Sequence, residues 1–302
     1  MSDPTHQAIV IGAGFAGLSA AVELSRLGVA TALVDDGYSG GLITNVGLID
    51  APGPYEGLAG ADITGSLLGE ALEAGADYHM GSATALTRTD GLWTLPELEI
   101  AAPAIVLATG AQLRRLDVPG EEALTGLGVS QCAFCDGGLY TGQHLAVVGG
   151  GDAAFQEALH LAEIGCTVTM LLRGPTPRAR QTFVDRAIAA PALTIRHQVE
   201  VAEVIGKGGV EALRLTDRQL GQTETLPLAA VFVLIGLEPQ TTLAPPDAAR
   251  DAAGALLIAE DCLTAAPGLY AIGAARAGYG GTLEHASADA RAAAGAIAGM
   301  LG

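Results

Sequence analysis

Two glycine-rich turns limit the folds open to this chain more than any other feature of its sequence. The first, G-A-G-F-A-G at residues 12–17, follows the apolar segment A-I-V-I and precedes a helix-like segment. A second predicted strand then ends at two acidic residues. Strand, turn, helix, strand and acid in this order are the fingerprint of a dinucleotide-binding βαβ unit. The residues expected to hold a dinucleotide here are Gly12, Gly14, Phe15, Ala16, Gly17, Asp35 and Asp36.

The second turn, G-G-G-D-A-A at residues 149–154, repeats the fingerprint with alanine at the third glycine position. The position that is acidic in the first copy, Asp35, is basic in the second, Arg173. An acid suits a free ribose 2′-hydroxyl, whereas an arginine suits a 2′-phosphate. We therefore expect FAD at the first turn and NADPH at the second. The residues expected at the second turn are Gly149, Gly151, Asp152, Ala153, Ala154, Arg173 and Arg178.

The order of the predicted elements indicates an α/β protein with two Rossmann-like dinucleotide-binding domains, the second inserted in the first. With 302 residues, half of them apolar and 42 of them glycine, the chain is long enough for two cores joined by many tight turns. We expect an FAD-binding domain at residues 1–114 that resumes at residues 240–302. We expect an NAD(P)H-binding domain, which carries the cysteine pair, at residues 115–239.

Redox chemistry is indicated by Cys132 and Cys135, which are separated by two residues and followed directly by Asp136. Two cysteines at this spacing can close a small disulfide ring, and Asp136 places a proton carrier beside the sulfurs. The alternative is half of a zinc site, but the next cysteine is Cys166 and no second C-x-x-C occurs. The sequence therefore favours a redox pair, and no metal site is expected.

The net charge of −18 argues against nucleic acid or an anionic membrane surface as the main partner. No basic signal-peptide region precedes the first strand, and no apolar run reaches the length of a membrane span. Four cysteines, two of them in a redox-type pair, fit a reducing compartment better than a disulfide-stapled secreted protein. We therefore expect a cytoplasmic protein.

Two further segments are suited to an extended cofactor. One is the loop after Asp36, which is rich in glycine, and the other is a buried strand that ends in A-T-G and so permits a close backbone contact. The candidates from these segments are Gly40, Gly41, Leu42, Asn45, Asp50, Ala108, Thr109 and Gly110.

Taken together, these motifs resemble the low-molecular-weight thioredoxin reductases over nearly the whole chain. The matching pieces, in family order and spacing, are residues 12–17, 40–41, 52–53, 108–110, 132–136, 149–154 and 267–273. The resemblance implies a homodimeric flavoprotein in which hydride passes from NADPH to FAD. Electrons then reduce the cysteine pair and next a protein disulfide. It also implies that Cys135 faces the flavin, Cys132 attacks the substrate disulfide, and Asp136 handles protons.

The chain departs from the family pattern at four places. The family usually has two arginines at the second nucleotide site, where this chain has Arg173-Gly174. In the flavin loop the family has G-G-Q-L, where this chain has G-G-L-I at residues 40–43. The late A-G-D segment, whose acid holds the flavin's ribityl chain in the family, has Ala274 after Gly273. A short R-Q-A segment near the flavin ring has become Glu284, His285 and Ala286. Three of the four lie around the expected flavin, so Gly273, Ala274, His285 and Ala286 join the candidate contacts.

Two enzymatic interpretations of this scaffold remain open. The first is a thioredoxin-reductase-type enzyme acting on a thioredoxin-like protein, which Asp136 and the intact turn at residues 149–154 favour. The second is a flavin-dependent oxidase that closes disulfides in a small dithiol and passes electrons to oxygen, which the reduced arginine cluster and altered flavin contacts favour. His285 is the candidate base in that case. A non-enzymatic alternative, a flavin-binding protein that acts as a redox-sensing interaction protein, is disfavoured because both cysteines and Asp136 are present.

Overall fold

The structure is a computed structural model that describes residues 4–37, 39–50 and 52–302. Its α-helices are α1 (Phe15–Arg26), α2 (Gly60–Glu73), α3 (Ala133–Asp136), α4 (Asp152–Glu163), α5 (Gln181–Ala189) and α6 (Leu283–Leu301). Its strands are β1 (Ala8–Ile11), β2 (Thr31–Asp35), β3 (Asp77–Met80), β4 (Thr87–Thr89), β5 (Leu92–Leu95), β6 (Ile100–Ala102), β7 (Ala104–Leu107), β8 (Ala111–Leu113), β9 (Val129–Ser130), β10 (His144–Val148), β11 (Thr167–Leu172), β12 (Leu193–His197), β13 (Val199–Gly206), β14 (Val210–Asp217), β15 (Thr223–Pro227), β16 (Ala230–Val233), β17 (Leu237–Pro239) and β18 (Leu269–Ala271).

The chain folds into two compact units. Unit 1 contains the residues up to Gln112 together with Glu238–Gly302, and unit 2 contains Leu113–Leu237. Unit 2 is thus inserted in unit 1, and the strands β8 and β17 pair where the chain crosses between the two. Among the described residues, no helix combines the length and the apolar character needed to cross a membrane.

Unit 1 is built on a parallel sheet of order β18-β7-β1-β2-β3. Ala8 and Val10 of β1 face a core formed with α1, α2 and α6, whereas Ile9 and Ile11 face the antiparallel β4–β6 sheet and Trp93. Strands covered on both faces must be apolar at every position, which explains the continuous A-I-V-I run. The carboxyl ends of all five strands lie at one edge of this sheet.

Unit 2 repeats the plan with a parallel sheet of order β12-β11-β10-β16-β9. Leu145 and Val147 of β10 face α4 and α5, and Ala146 and Val148 face the antiparallel sheet of order β13-β14-β15. The short helix α3, which carries the cysteine pair, packs on this core through the buried Ala133. One unit therefore holds both the second glycine-rich turn and the cysteines.

Candidate functional site

In the turn at residues 12–17, the first and third glycines, Gly12 and Gly17, are packed too closely to accept a side chain. Gly12 has φ +103°, and a Cβ there would lie 2.5 Å from the carbonyl oxygen of Ala108. A Cβ on Gly17 would lie 1.8 Å from the carbonyl oxygen of Gly12. The start of α1, with Phe15 buried and Ala16 half-buried, therefore lies against the ends of β1 and β7. Its first backbone N–H groups are placed to receive a phosphate.

Asp35, rather than Asp36, is the acid that belongs to this turn. The Ala13 N–H donates to Asp35 Oδ2 at 2.6 Å, and the Gly37 N–H donates to Oδ1 at 3.2 Å. Each carboxylate oxygen has a second lone pair, so Asp35 can still accept a ribose hydroxyl. Asp36 is exposed beside it. The sequence could not separate these two neighbours because only the strand end decides which side chain turns inward.

The glycine-rich loop after β2 closes over the turn. The Gly40 N–H donates to the carbonyl of Ala13 at 2.7 Å, and a Cβ on Gly41 would lie 3.1 Å from the Cα of Gly14. The backbone of the loop and the backbone of the turn come this close because the residues in contact are glycines. Such a close backbone approach suits the binding of a pyrophosphate. The other candidates on this loop lie on its 3₁₀ turn (Gly41–Asn45) or just after it, and are Leu42, Asn45 and Asp50.

The remaining unit 1 candidates lie at neighbouring strand ends. Ala108 is buried after β7, the Thr109 hydroxyl donates to the carbonyl of Gln240, and Gly110 has φ +66°. Gly273, after β18, has φ +61°, and a Cβ there would lie 2.8 Å from the Cβ of Ala16. These backbone approaches line the carboxyl edge of the sheet, as an extended dinucleotide requires, so the residues present fit FAD.

A buried ion pair stands beside Ala274, where the sequence lacks the family acid. Asp289 of α6 accepts from the Gly273 N–H at 3.0 Å and from Arg276 Nε at 2.8 Å and Nη2 at 2.7 Å. Only 8% of the Asp289 side chain and 14% of the Arg276 side chain are exposed. The carboxylate at this corner therefore comes from the last helix. No sequence rule pairs two residues 13 apart across a loop and a helix.

His285 lies in the first turn of α6 and is exposed, whereas Ala286 beside it is buried. Its Nδ1 lies 3.2 Å from the hydroxyl oxygen of Thr282, the residue that caps this helix. His285 belongs to unit 1 and the cysteine pair belongs to unit 2. Its role as a base therefore stays a prediction.

Cys132 and Cys135 form a disulfide with a Cα–Cα distance of 5.3 Å. Cys132 is buried and caps α3, while Cys135 is exposed. The Ser130 hydroxyl donates to Asp136 Oδ2 at 2.6 Å and accepts from the Cys132 N–H at 3.2 Å. Asp136 is thus connected to the backbone of Cys132 through one hydroxyl group. The sequence predicted the pair and the acid, but not Ser130 as the link.

Glu157 is a buried acid directly behind the cysteine pair. It lies on α4, and its Oε2 accepts from the Ala133 N–H at 2.7 Å. Burial raises its pKa to about 7, against which this one hydrogen bond acts weakly. His160, one turn further along α4, stacks on Phe134 at 3.9 Å between ring centroids. Both residues between the cysteines are therefore held by α4, which sequence patterning alone did not predict.

The second glycine-rich turn has room for the alanine at its last position, Ala154, because Gly149 opposite it has no side chain. Gly149 has φ +148°, and a Cβ there would lie 2.3 Å from the carbonyl oxygen of Leu234 and 2.8 Å from the Cβ of Ala154. The glycine at position 149 therefore makes the room that Ala154 occupies. Gly151 caps α4, and Asp152 and Ala153 form its first turn. The turn fits a second dinucleotide by the same backbone criteria as the first.

Several arginines lie around this turn. The Arg178 N–H donates to the carbonyl of Gly150 at 2.7 Å, and Arg180 Nε pairs with Asp152 Oδ2 at 2.6 Å. Arg173 is exposed after β11, and its carbonyl accepts from Arg218 Nη1 at 3.3 Å. Arg180 and Arg218 were not predicted from the sequence. Arg218 lies 45 residues from Arg173 and reaches it only because β13 and β14 fold back over the sheet.

Comparison with known proteins agrees with this geometry. Residues 6–293 match the family described as "Pyridine nucleotide-disulphide oxidoreductase". The thioredoxin reductase of Treponema pallidum is 32% identical over 299 residues, covering 98% of this chain and 97% of that protein. The thioredoxin reductase of Mycolicibacterium smegmatis is 36% identical over 246 residues, covering 80% of this chain and 79% of that protein.

Solved structures give the same result. The chain superposes on Lactococcus lactis thioredoxin reductase with a TM-score of 0.92 at 27% identity, covering 97% of this chain and 98% of that one. For T. acidophilum thioredoxin reductase the TM-score is 0.91 at 26% identity, with 98% of each chain covered. The chain therefore belongs to the pyridine nucleotide-disulphide oxidoreductase family and, within it, to the low-molecular-weight thioredoxin reductases, as an FAD- and NADPH-using disulfide oxidoreductase.

Proposed function

We propose that the enzyme reduces the disulfide of a thioredoxin-like protein at the expense of NADPH, as a cytoplasmic homodimer. The observation that carries the proposal is the Cys132–Cys135 disulfide on the same unit as the second glycine-rich turn. FAD, when bound at the turn of residues 12–17, relays electrons between a nicotinamide and this disulfide.

The chemistry of the chain's own residues balances. Two electrons and two protons convert the Cys132–Cys135 disulfide into two thiols. The thiolate of Cys132 attacks one sulfur of the substrate disulfide and releases the other as a thiol. Cys135 then attacks Cys132 in the mixed disulfide, which restores the ring and releases the reduced substrate. Asp136 is the proposed carrier of the protons, and its hydrogen bond to Ser130, which accepts from the Cys132 N–H, supports this by holding the carboxylate beside the first cysteine.

The second nucleotide site rests on Gly149, Gly151 and the start of α4 for the pyrophosphate. Arg173 and Arg178 supply positive charge for a 2′-phosphate, so NADPH is the expected donor. His285 and Ala274 are proposed to lie near the flavin on the strength of their positions after β18 and at the start of α6.

The test measures NADPH oxidation by the purified holoenzyme with oxidised thioredoxin. Cys132→Ser and Cys135→Ser should each lose turnover, because disulfide exchange needs both sulfurs. Cys166→Ala is the matched control, since Cys166 is a buried free cysteine whose pKa is raised by burial. Full activity in either pair variant would overturn the proposal. Light scattering of the same sample tests the homodimer.

A further inference from the structure

Three polar side chains outside the redox site gather near the amino edge of the unit 1 sheet. His6 precedes β1, and Asp77 and His79 lie on the edge strand β3. His6 Nε2 lies 3.3 Å and His79 Nε2 lies 3.0 Å from the same oxygen, Asp77 Oδ2. This cluster is not visible in the sequence, because His6 and Asp77 are 71 residues apart and only the parallel pairing of β1, β2 and β3 brings them together.

The hydrogen bonds behind His6 give its Nδ1 a partner and leave its Nε2 facing Asp77. The Thr5 hydroxyl donates its single proton to the carbonyl of Ala101 at 3.2 Å and accepts from the Ala101 N–H at 3.1 Å. His6 Nδ1 lies 3.1 Å from the same Thr5 Oγ1. In the tautomer with its proton on Nδ1, His6 donates to Thr5 Oγ1 and presents the lone pair of Nε2 to Asp77.

A neutral His6 would then point the lone pair of Nε2 at the carboxylate oxygen of Asp77. Two lone pairs at 3.3 Å repel each other unless a cation lies between them. That cation is either a proton on Nε2 or a metal ion. The contact of Thr5 with Nδ1 is the arrangement that prepares a histidine for metal binding through Nε2.

The distances from Asp77 Oδ2 to the two histidine nitrogens are close to those around a tetrahedral ion. Bonds of about 2.0–2.1 Å to nitrogen and oxygen place neighbouring ligands of a tetrahedral zinc ion roughly 3.3–3.4 Å apart. The two contacts of Asp77 Oδ2 are 3.0 and 3.3 Å long, and all three ligand atoms lie within 4.8 Å of one another. The histidine side chains are only 13% and 26% exposed, whereas Asp77 is 61% exposed, which leaves the fourth position to water.

We propose that His6, Asp77 and His79 bind one Zn²⁺ ion, which ties the segment before β1 to the edge strand β3. Two imidazoles and one carboxylate suit zinc among the available divalent ions. His79 is in register with Val34, one residue before Asp35, but it lies on the outermost strand of the sheet, two strands away from β1 and the glycine-rich turn. The ion therefore stabilises unit 1 and takes no part in electron transfer.

The test uses the full-length holoenzyme with its disulfide oxidised, so that the thiols of the redox pair cannot take up zinc. Titration calorimetry should give saturable binding of one Zn²⁺ per chain. The melting temperature should rise by several degrees at about a hundredfold excess over Kd. Co²⁺ in place of Zn²⁺ should give the visible absorption of a tetrahedral site.

Matched variants separate this site from adventitious binding. His6→Ala and His79→Ala should each weaken Zn²⁺ binding at least tenfold, whereas His197→Ala, at an exposed histidine on β12, should not. Thr5→Val should weaken binding roughly tenfold or more, because Nδ1 loses its acceptor, and Thr5→Ser should restore it. Thioredoxin reduction should stay unchanged in all of these variants.

Two results would overturn the proposal. One is the absence of saturable Zn²⁺ binding to the wild-type protein, which would leave a protonated His6 as the partner of Asp77. The other is binding that persists unweakened in both His6→Ala and His79→Ala, which would place the ion elsewhere. Should a variant fail to fold, the wild-type titration and its Co²⁺ spectrum decide the question alone.

Discussion

The carboxylate of Glu157 accepts a hydrogen bond of 2.7 Å from the backbone N–H of Ala133, the residue that follows Cys132. Glu157 lies on α4, the helix that begins directly after the second glycine-rich turn. One helix therefore carries the turn at its start and supports the cysteine ring about one and a half turns later. The nucleotide turn and the redox pair of unit 2 are parts of a single packed substructure.

Glu157 should make the stability of the protein depend on pH. Its pKa is raised to about 7 by burial, so the folded state prefers the protonated acid. The stability gained this way is fully present below the unfolded pKa of about 4.3 and is lost as pH rises through about 7. A shift of this size corresponds to about 3–4 kcal/mol in the free energy of unfolding.

The measurement is urea unfolding of the oxidised protein between about pH 5 and pH 8. Glu157→Gln should keep the hydrogen bond to Ala133 and lose most of the change in unfolding free energy between about pH 5 and pH 8. Glu163→Gln, on the exposed side of the same helix, is the matched control and should leave the wild-type profile intact. A Glu157→Gln profile identical to wild type would contradict a buried, titrating Glu157.

The Arg276–Asp289 pair should be worth far more than a surface pair. Asp289→Asn leaves a buried arginine without its charge partner, which costs about 3–5 kcal/mol of unfolding free energy. The control is Glu70→Gln, whose partner Arg26 is 57% exposed and whose loss should cost less than about 1 kcal/mol. Fluorescence of Trp93, the single tryptophan, reports the unfolding of unit 1. Equal costs for the two variants would show that the buried pair is not structural.

The two cysteines should differ in the absorption spectrum. A thiolate beside oxidised flavin donates charge to the ring and gives a long-wavelength band. We expect Cys132→Ser, which retains Cys135, to show this band, and Cys135→Ser to lack it. The spectra of the two purified variants decide the assignment. The reverse pattern would exchange the roles of the two sulfurs.

Arg173 and Arg178 should set the preference for NADPH over NADH. Loss of one arginine–phosphate contact costs about 1.5–3 kcal/mol, so Arg173→Ala or Arg178→Ala should raise KM for NADPH roughly tenfold or more. KM for NADH should stay unchanged. Arg186→Ala on α5, whose side chain pairs with Glu163, is the control. Equilibrium binding of 2′-phospho-AMP to the same variants gives this comparison without turnover. Unchanged binding in both arginine variants would contradict a contact of Arg173 or Arg178 with the 2′-phosphate.

The sequence predicts the elements whose signals are local, and misses the contacts that depend on topology. The turn at residues 12–17 and the pair Cys132 and Cys135 are readable because glycine spacing and cysteine spacing are themselves the chemistry. Glu157 and Ala133 are 24 residues apart in different elements, so no short-range pattern connects them. Asp36 remained a candidate beside Asp35 because a run of apolar residues does not specify which side chain turns inward where β2 ends.

Ala274 illustrates a different limit. From the sequence it is only a missing acid, because family spacing marks one position and says nothing of the rest of the fold. The structure places the carboxylate of Asp289 at the neighbouring Gly273 N–H. Asp289 occurs in an alanine-rich helix where an acid is ordinarily interpreted as a solvent-exposed residue, so burial of this face had to be known first.

We propose that electrons flow from NADPH through FAD to the Cys132–Cys135 disulfide and on to a thioredoxin. The test is anaerobic stopped-flow mixing of the oxidised holoenzyme with NADPH. We expect rapid loss of the oxidised-flavin absorption, followed by its return when oxidised thioredoxin is added in the second mix. A flavin that NADPH leaves oxidised, but that a small dithiol reduces and oxygen reoxidises, would contradict it and identify a dithiol oxidase instead.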